Sequence, residues 1–127
     1  MSASNYLENK LLDHALGVAN FVRPTNLYAA LHTADPGENG AVAEIVGNGY
    51  ARQAVSFGAA VNGVGANTTA PQFPVATADW GSITHWSLWD AQTGGNCLLS
   101  GALVASRQIL NTDQFYFAVG DLTVTMD

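Results

Sequence analysis

Apolar and polar residues alternate in two different periods along this chain. From Asn5 to Leu16 the period is helical. Leu7, Leu11, Leu12, Ala15 and Leu16 fall on one face, at the spacing of about 3.6 residues per turn, while Glu8, Asn9, Lys10, Asp13 and His14 fall on the other. Asn5 with Glu8 three residues on reads as a capping box, and Gly17 as a stop. The pattern predicts an amphipathic helix over about 5–16 that packs on the sheet that follows.

The period then shortens to that of a strand. LYAALHT (27–33) alternates and ends at Asp35-Pro36-Gly37, a turn because Pro presets φ and Gly accepts positive φ. A polar, acidic loop runs on to Asn48. YARQAVSF (50–57) is a strand with Ala51, Gln53, Val55 and Phe57 facing one way. Residues 58–70 are small and glycine-rich and read as a loop or irregular edge. QFPVA (72–76) is a short strand confined to an edge by Pro74. ITHWSLWD (83–90) and LLSGALVA (98–105) are strands joined by AQTGGN, a hairpin. DQFYFAV (113–119) and LTVTMD (122–127) flank Gly120-Asp121, either a tight turn or a bulge. Together these predict a mainly β fold. It is an antiparallel sandwich or small barrel of six to seven strands with one N-terminal helix, in a single domain over 1–127.

All three tryptophans lie in WGSITHWSLWDAQTGGN, residues 80–96. Strict alternation places Ile83, His85, Ser87 and Trp89 on one face and Thr84, Trp86, Leu88 and Asp90 on the other. Trp86 and Trp89 therefore point in opposite directions. A stacking platform needs its aromatics side by side. A strand buried on both faces, with each ring filling a different layer, is the simpler account.

Composition narrows the function. Only 11% of the residues are charged, so the surface is built from Ser, Thr, Asn, Gln and Gly, which suits a protein packed against partners. The net charge is −6, with Lys10, Arg23, Arg52 and Arg107 the only cations of the Lys and Arg type. Four scattered cations make no stripe for nucleic acid and no polybasic membrane patch. MSASNYLENKLLDH does not read as a signal peptide, and no apolar run approaches a transmembrane length.

Candidate chemistry is sparse. Ser87 shares a face with His85, but no strand-to-helix elbow activates it, and Asp90 lies on the other face. His14, His32 and His85 stand on separate elements, with no spacing that argues a metal site. Asp35, Glu38, Asn39 and Glu44 carry oxygen ligands but lack the calcium-loop spacing, so a solvated loop is the reading there. Arg52 can anchor that loop by an ion pair. Cys97, the single cysteine, has no cation beside it and reads as an inert thiol. No lysine-bearing phosphate loop is present. The expectation is a non-enzymatic protein with no cofactor and no metal.

The segments YLENKLLDH, LYAALHTADPGENG, GYARQAVSF, FPVATADWGSITHWSLWDAQTGG and FAVGDLTVTMD together resemble a family of small virion proteins of tailed bacteriophages and prophages, often labelled tail-fibre proteins. The resemblance spans Tyr6 to Asp127. It implies a virion structural protein, made in the bacterial host cytoplasm and partnered by the major capsid protein or by tail proteins. It supplies no catalytic residues. A single module without coiled-coil heptads favours a capsid decoration or cement protein that forms homo-oligomers. The alternative is a tail or tail-fibre component that binds a host receptor or glycan. Exposure logic names the acidic loop 34–48, with Asp35, Glu38 and Asn39, the hairpin tip 91–96, with Thr93 and Asn96, and the helix 5–16 as partner contacts, while the receptor or glycan alternative would use exposed Tyr50 or Trp80.

Overall fold

The structure, a computed structural model, describes residues 1–126. Its elements are β1 (Ser2–Ala3), α1 (Asn5–Ala15), β2 (Leu27–His32), β3 (Gln53–Val55), β4 (Val64–Ala66), β5 (Gly81–Trp89), β6 (Cys97–Ile109) and β7 (Thr123–Thr125). Five strands form an antiparallel sheet in the order β1-β6-β5-β2-β3, and β4 pairs with β7 in a separate ribbon. Neither sheet closes on itself, so the architecture is an open sandwich rather than a barrel.

β5 occupies the middle of the large sheet, and both its faces are covered. On one side lies the main core, where Ile83, Trp86 and Leu88 meet Leu31, Phe73, Trp80, Phe115, Phe117 and Leu122. Phe115 and Phe117 pack edge to face there, 4.9 Å apart at 77°, as do Tyr50 and Trp80 at 5.6 Å and 89°, whereas Tyr50 and Phe73 stack at 6.1 Å and 10°. On the other side Trp89 packs with Ala30 and Cys97 in a second, thinner layer. The two tryptophans do fill different layers. Ile83 departs from strict alternation and joins Trp86. The cause is an irregularity at Thr84: Ile83 pairs with Arg107 and His85 with Ala102, so Thr84 faces the whole of Leu103–Ser106.

The acidic loop roofs the second layer. Gly40 has φ +72°, and a Cβ there would stand 2.6 Å from the Cys97 sulfur and 2.9 Å from the Trp89 ring. Only glycine permits this approach.

Several elements differ from the sequence expectation. Ser4, not Asn5, caps the helix: its side chain accepts from the Leu7 N–H, and its hydroxyl donates to the Cys97 carbonyl. β1 supplies the reason, since pairing of Ser2 and Ala3 with β6 brings Ser4 onto the strand end. Of the predicted apolar helix face, Leu7 is buried and Leu11 half-buried, whereas Leu12 and Leu16 are exposed. QFPVA forms no regular strand. Pro74 has no N–H for a ladder, so residues 71–76 meet 113–117 by separate bonds, Phe73 N to Phe115 O and Ala76 N to Asp113 O, both 2.9 Å. The glycine-rich segment holds β4. Gly120-Asp121 is a turn, closed by Asp121 N to Ala118 O at 3.0 Å.

Candidate functional site

The densest polar cluster is built around Arg52, just before β3. Its side chain is almost fully buried, and every branch of the guanidinium is engaged. Nε and Nη2 donate to Glu44 Oε2 and Oε1, each at 2.8 Å. Nη1 donates to the carbonyls of Ala91 and Gly94 at 3.0 and 2.9 Å. The guanidinium lies 3.8 Å from the Trp89 ring centroid, a cation–π contact. Arg52 thereby ties the acidic loop to the hairpin tip, the anchoring role its sequence position suggested.

Around it the buried donors and acceptors are matched. Tyr50 donates to Glu44 Oε2 at 2.8 Å, and its oxygen accepts from the Leu31 N–H at 3.2 Å. Burial would push the Glu44 carboxyl up, but the hydrogen bonds from Arg52 and Tyr50 and the guanidinium charge outweigh it and hold it below its usual range. Burial first, with the Glu44 charge beside it, pushes the Tyr50 hydroxyl far above its ordinary value.

His32 completes the cluster with no exposed surface. Its Nδ1 donates to the Val42 carbonyl at 2.8 Å. Nε2 is then the acceptor and receives a hydrogen bond from the Ser87 hydroxyl at 2.7 Å, while the Ser87 oxygen accepts from Trp89 Nε1 at 2.7 Å. Desolvation holds the His32 imidazole below its usual value, so the neutral ring this pattern needs is the stable form at neutral pH. Ser87 and His32 make the hydrogen bond a nucleophile and its base would make. Yet neither side chain is exposed at all, and a backbone carbonyl stands where a carboxylate would orient the base. This is a latch between strands and loop.

The sequence-predicted contacts divide. Asp35, Glu38, Asn39, Thr93 and Asn96 are exposed. Asp35 and Asn39 close turns by accepting from the N–H of Gly37 and Ala41, and Asn96 is held to Asp90 through its own N–H and its side-chain amide. Trp80 and Tyr50 are not exposed platforms. Trp80 is 6% exposed, with its indole N–H on the Asn48 carbonyl at 2.8 Å. Tyr50 is half-buried between Trp80 and Phe73. Both rings are needed by the core, which is why they leave the surface. His85 shares the face of Ser87 but makes no hydrogen bond to it among the described residues; its Nδ1 is bonded to Thr84 Oγ1 at 2.8 Å. His14 accepts from the Phe21 N–H at the helix end. Among the described residues no group of three or more His, Cys, Asp or Glu side chains is placed to hold a metal ion, and no helix is long and apolar enough to cross a membrane.

The sequence missed the His32–Ser87 bond. Its signal was the pairing of His32 with His85, which makes Ser87 a diagonal neighbour on the same face.

A groove of about 630 Å³ lies elsewhere, between β6 and the segment 115–125.

The model of the family described as Podophage GP4 fiber I protein gp80 matches residues 2–125. The chain belongs to this family. The match covers nearly the whole described length of this fibre-family chain, and it agrees with the resemblance to tailed-phage virion proteins read from the sequence. No curated protein matches it.

Proposed function

We infer that this chain is a component of the tail-fibre apparatus of a tailed phage and contributes to host attachment. The observation that carries this reading is the fibre-family match over residues 2–125. The capsid decoration role, favoured by the single-module sequence, has no counterpart in that match and stands behind the fibre reading.

The role is structural and adhesive rather than catalytic. The Ser87–His32 pair is sealed and tied to loop and sheet, which supports a stabilising part for it. The chain acts as a homo-oligomer among other virion proteins. Leu12, Leu16, Val18 and Val22 support this: they run from the helix into the following segment and are 56%, 74%, 73% and 84% exposed. Apolar groups left open in this way mark an interaction surface.

The test is competition. Purified chain, added to host cells before phage, should lower the fraction of phage adsorbed in proportion to its concentration. Unchanged adsorption at saturating chain would overturn the attachment reading.

A further inference from the structure

The irregularity at Thr84 has a structural consequence on the outer side of β6. The segment Leu103–Ser106 bows away from the ladder, and Val104 is fully exposed at its crest. Bulges of this kind re-aim side chains and end pairing, and they recur beside functional sites. Here the bowed segment forms one wall of the 630 Å³ groove, and the residues from Phe115 to Thr125 form the other. That volume lies within the range of small-ligand sites.

The groove carries a polar set that the fold uses only in part. Trp86 lines it and is 5% exposed. The indole N–H groups of Trp80 and Trp89 are both hydrogen-bonded inside the protein. That of Trp86 has no partner among the described residues, and it is not a buried unpaired group, so it touches solvent. Gly101 keeps it open: a Cβ at this position would stand 3.1 Å from Trp86 Nε1 and 2.6 Å from Cζ2. Arg107 lies with its guanidinium 5.4 Å from the Phe115 ring and makes no ion pair among the described residues. Asp121 uses one carboxylate oxygen to accept from the Ala118 N–H, and the other has no hydrogen-bond partner among the described residues. Thr123 adds a hydroxyl, and Tyr116, 55% exposed, adds an aromatic ring.

We propose that this groove is a saccharide-binding site. The chemistry of the set selects the ligand class. Arg107 and the Trp86 N–H donate, Asp121 accepts and Thr123 does both. A sugar hydroxyl also donates and accepts, so neighbouring hydroxyls on one ring satisfy the whole set. The apolar C–H face of the same ring packs on an aromatic side chain. Arg107 and Asp121 line opposite walls of the groove, so donors and an acceptor are offered from both sides to a ligand that, like a sugar, does both. This assignment rests on the attachment reading and gives it a place on the molecule, away from Trp80 and Tyr50.

The experiment follows the three indole N–H signals in a nitrogen–proton correlation spectrum of the full chain. Glucose, galactose, rhamnose and N-acetylglucosamine are added in turn at millimolar concentration. The expected result is that at least one sugar shifts the Trp86 signal saturably while those of Trp80 and Trp89 stay fixed. Arg107→Met keeps the stem over Phe115 and removes the donors, and it should weaken that binding about ten-fold or more. Tyr116→Ala is the second variant and should weaken it likewise. Overturning results are no saturable Trp86 shift with any of the four sugars, or a shift that both variants leave unchanged. A Trp86 signal that moves with protein concentration alone, with a matching change in mass by light scattering, would also overturn it and assign the groove to a subunit interface. If the site fails while the chain still competes for adsorption, the attachment reading stands without it. If both fail, both are withdrawn.

Discussion

Glu44 and Arg52 hold each other through two parallel hydrogen bonds of 2.8 Å, one from Nε and one from Nη2. They stand eight positions apart in sequence, yet the pair fixes a loop, a strand and a distant hairpin tip at once, because Nη1 also reaches Ala91 and Gly94. Removing the guanidinium leaves a half-buried carboxylate and two carbonyls without their donor. Arg52→Ala should cost about 3 kcal/mol of stability. Arg52→Lys should recover only a part, since an ammonium cannot make the fork. Urea unfolding of the two variants checks both statements.

The His32 latch makes stability depend on pH. Burial holds its folded-state value below the usual 6.5, against the pull of the Val42 carbonyl and the Glu44 charge and with the help of Arg52 and His85. The unfolded chain therefore takes up this proton more readily. The contribution is complete above about pH 6.5 and is lost as pH falls below it. Glu44 is also held low, so its contribution is complete above its ordinary 4.5 and is lost below that. The thermal midpoint should be level near neutrality, fall below about pH 6.5 and fall more steeply below about 4.5. His32→Gln should lower the midpoint overall and remove the upper step. A midpoint unchanged between neutrality and pH 5 in the parent chain would contradict this.

Gly40→Ala should be among the most damaging small substitutions. The added carbon meets the Cys97 sulfur and the Trp89 ring, and the backbone is left-handed there. Overpacking and positive φ together should cost about 2–3 kcal/mol. Gly47 has the same backbone sign with open space around it, so Gly47→Ala should cost about 1 kcal/mol or less. The difference in unfolding midpoint between the two variants separates contact from conformation.

Cys97 is buried, and desolvation pushes its thiol up to about 11. It should react with iodoacetamide at pH 8 only as fast as the chain opens, and at the rate of a free thiol in denaturant. Mass spectrometry of timed samples measures both rates. Fast labelling of the folded chain would mean that Gly40 does not seat on the sulfur.

The legible parts of the fold are those fixed by local period. β2 and β5 have strand alternation within a residue or two of their bounds, and α1 has helical spacing. The illegible parts are set by distant partners. Pro74 still permits a tight chain beside residues 113–117, because Phe73 and Phe115 share a core that no local pattern displays. Leu12 and Leu16 read as core residues from their spacing, and nothing local shows that the helix docks through Leu7 and Ser4 instead. In the candidate site, Arg52 was readable because its loop is nearby and acidic. Trp86, Arg107 and Asp121 come together only through an irregular strand pairing, which the sequence does not announce.

A place on the tail fibre can be tested by the position of the chain in purified virions. Averaged electron-microscopy maps, with copy number from quantitative mass spectrometry, would give it. A few to a few dozen copies are expected, all in density at the tail. Copies in the hundreds on the head lattice would contradict it and return the chain to capsid decoration.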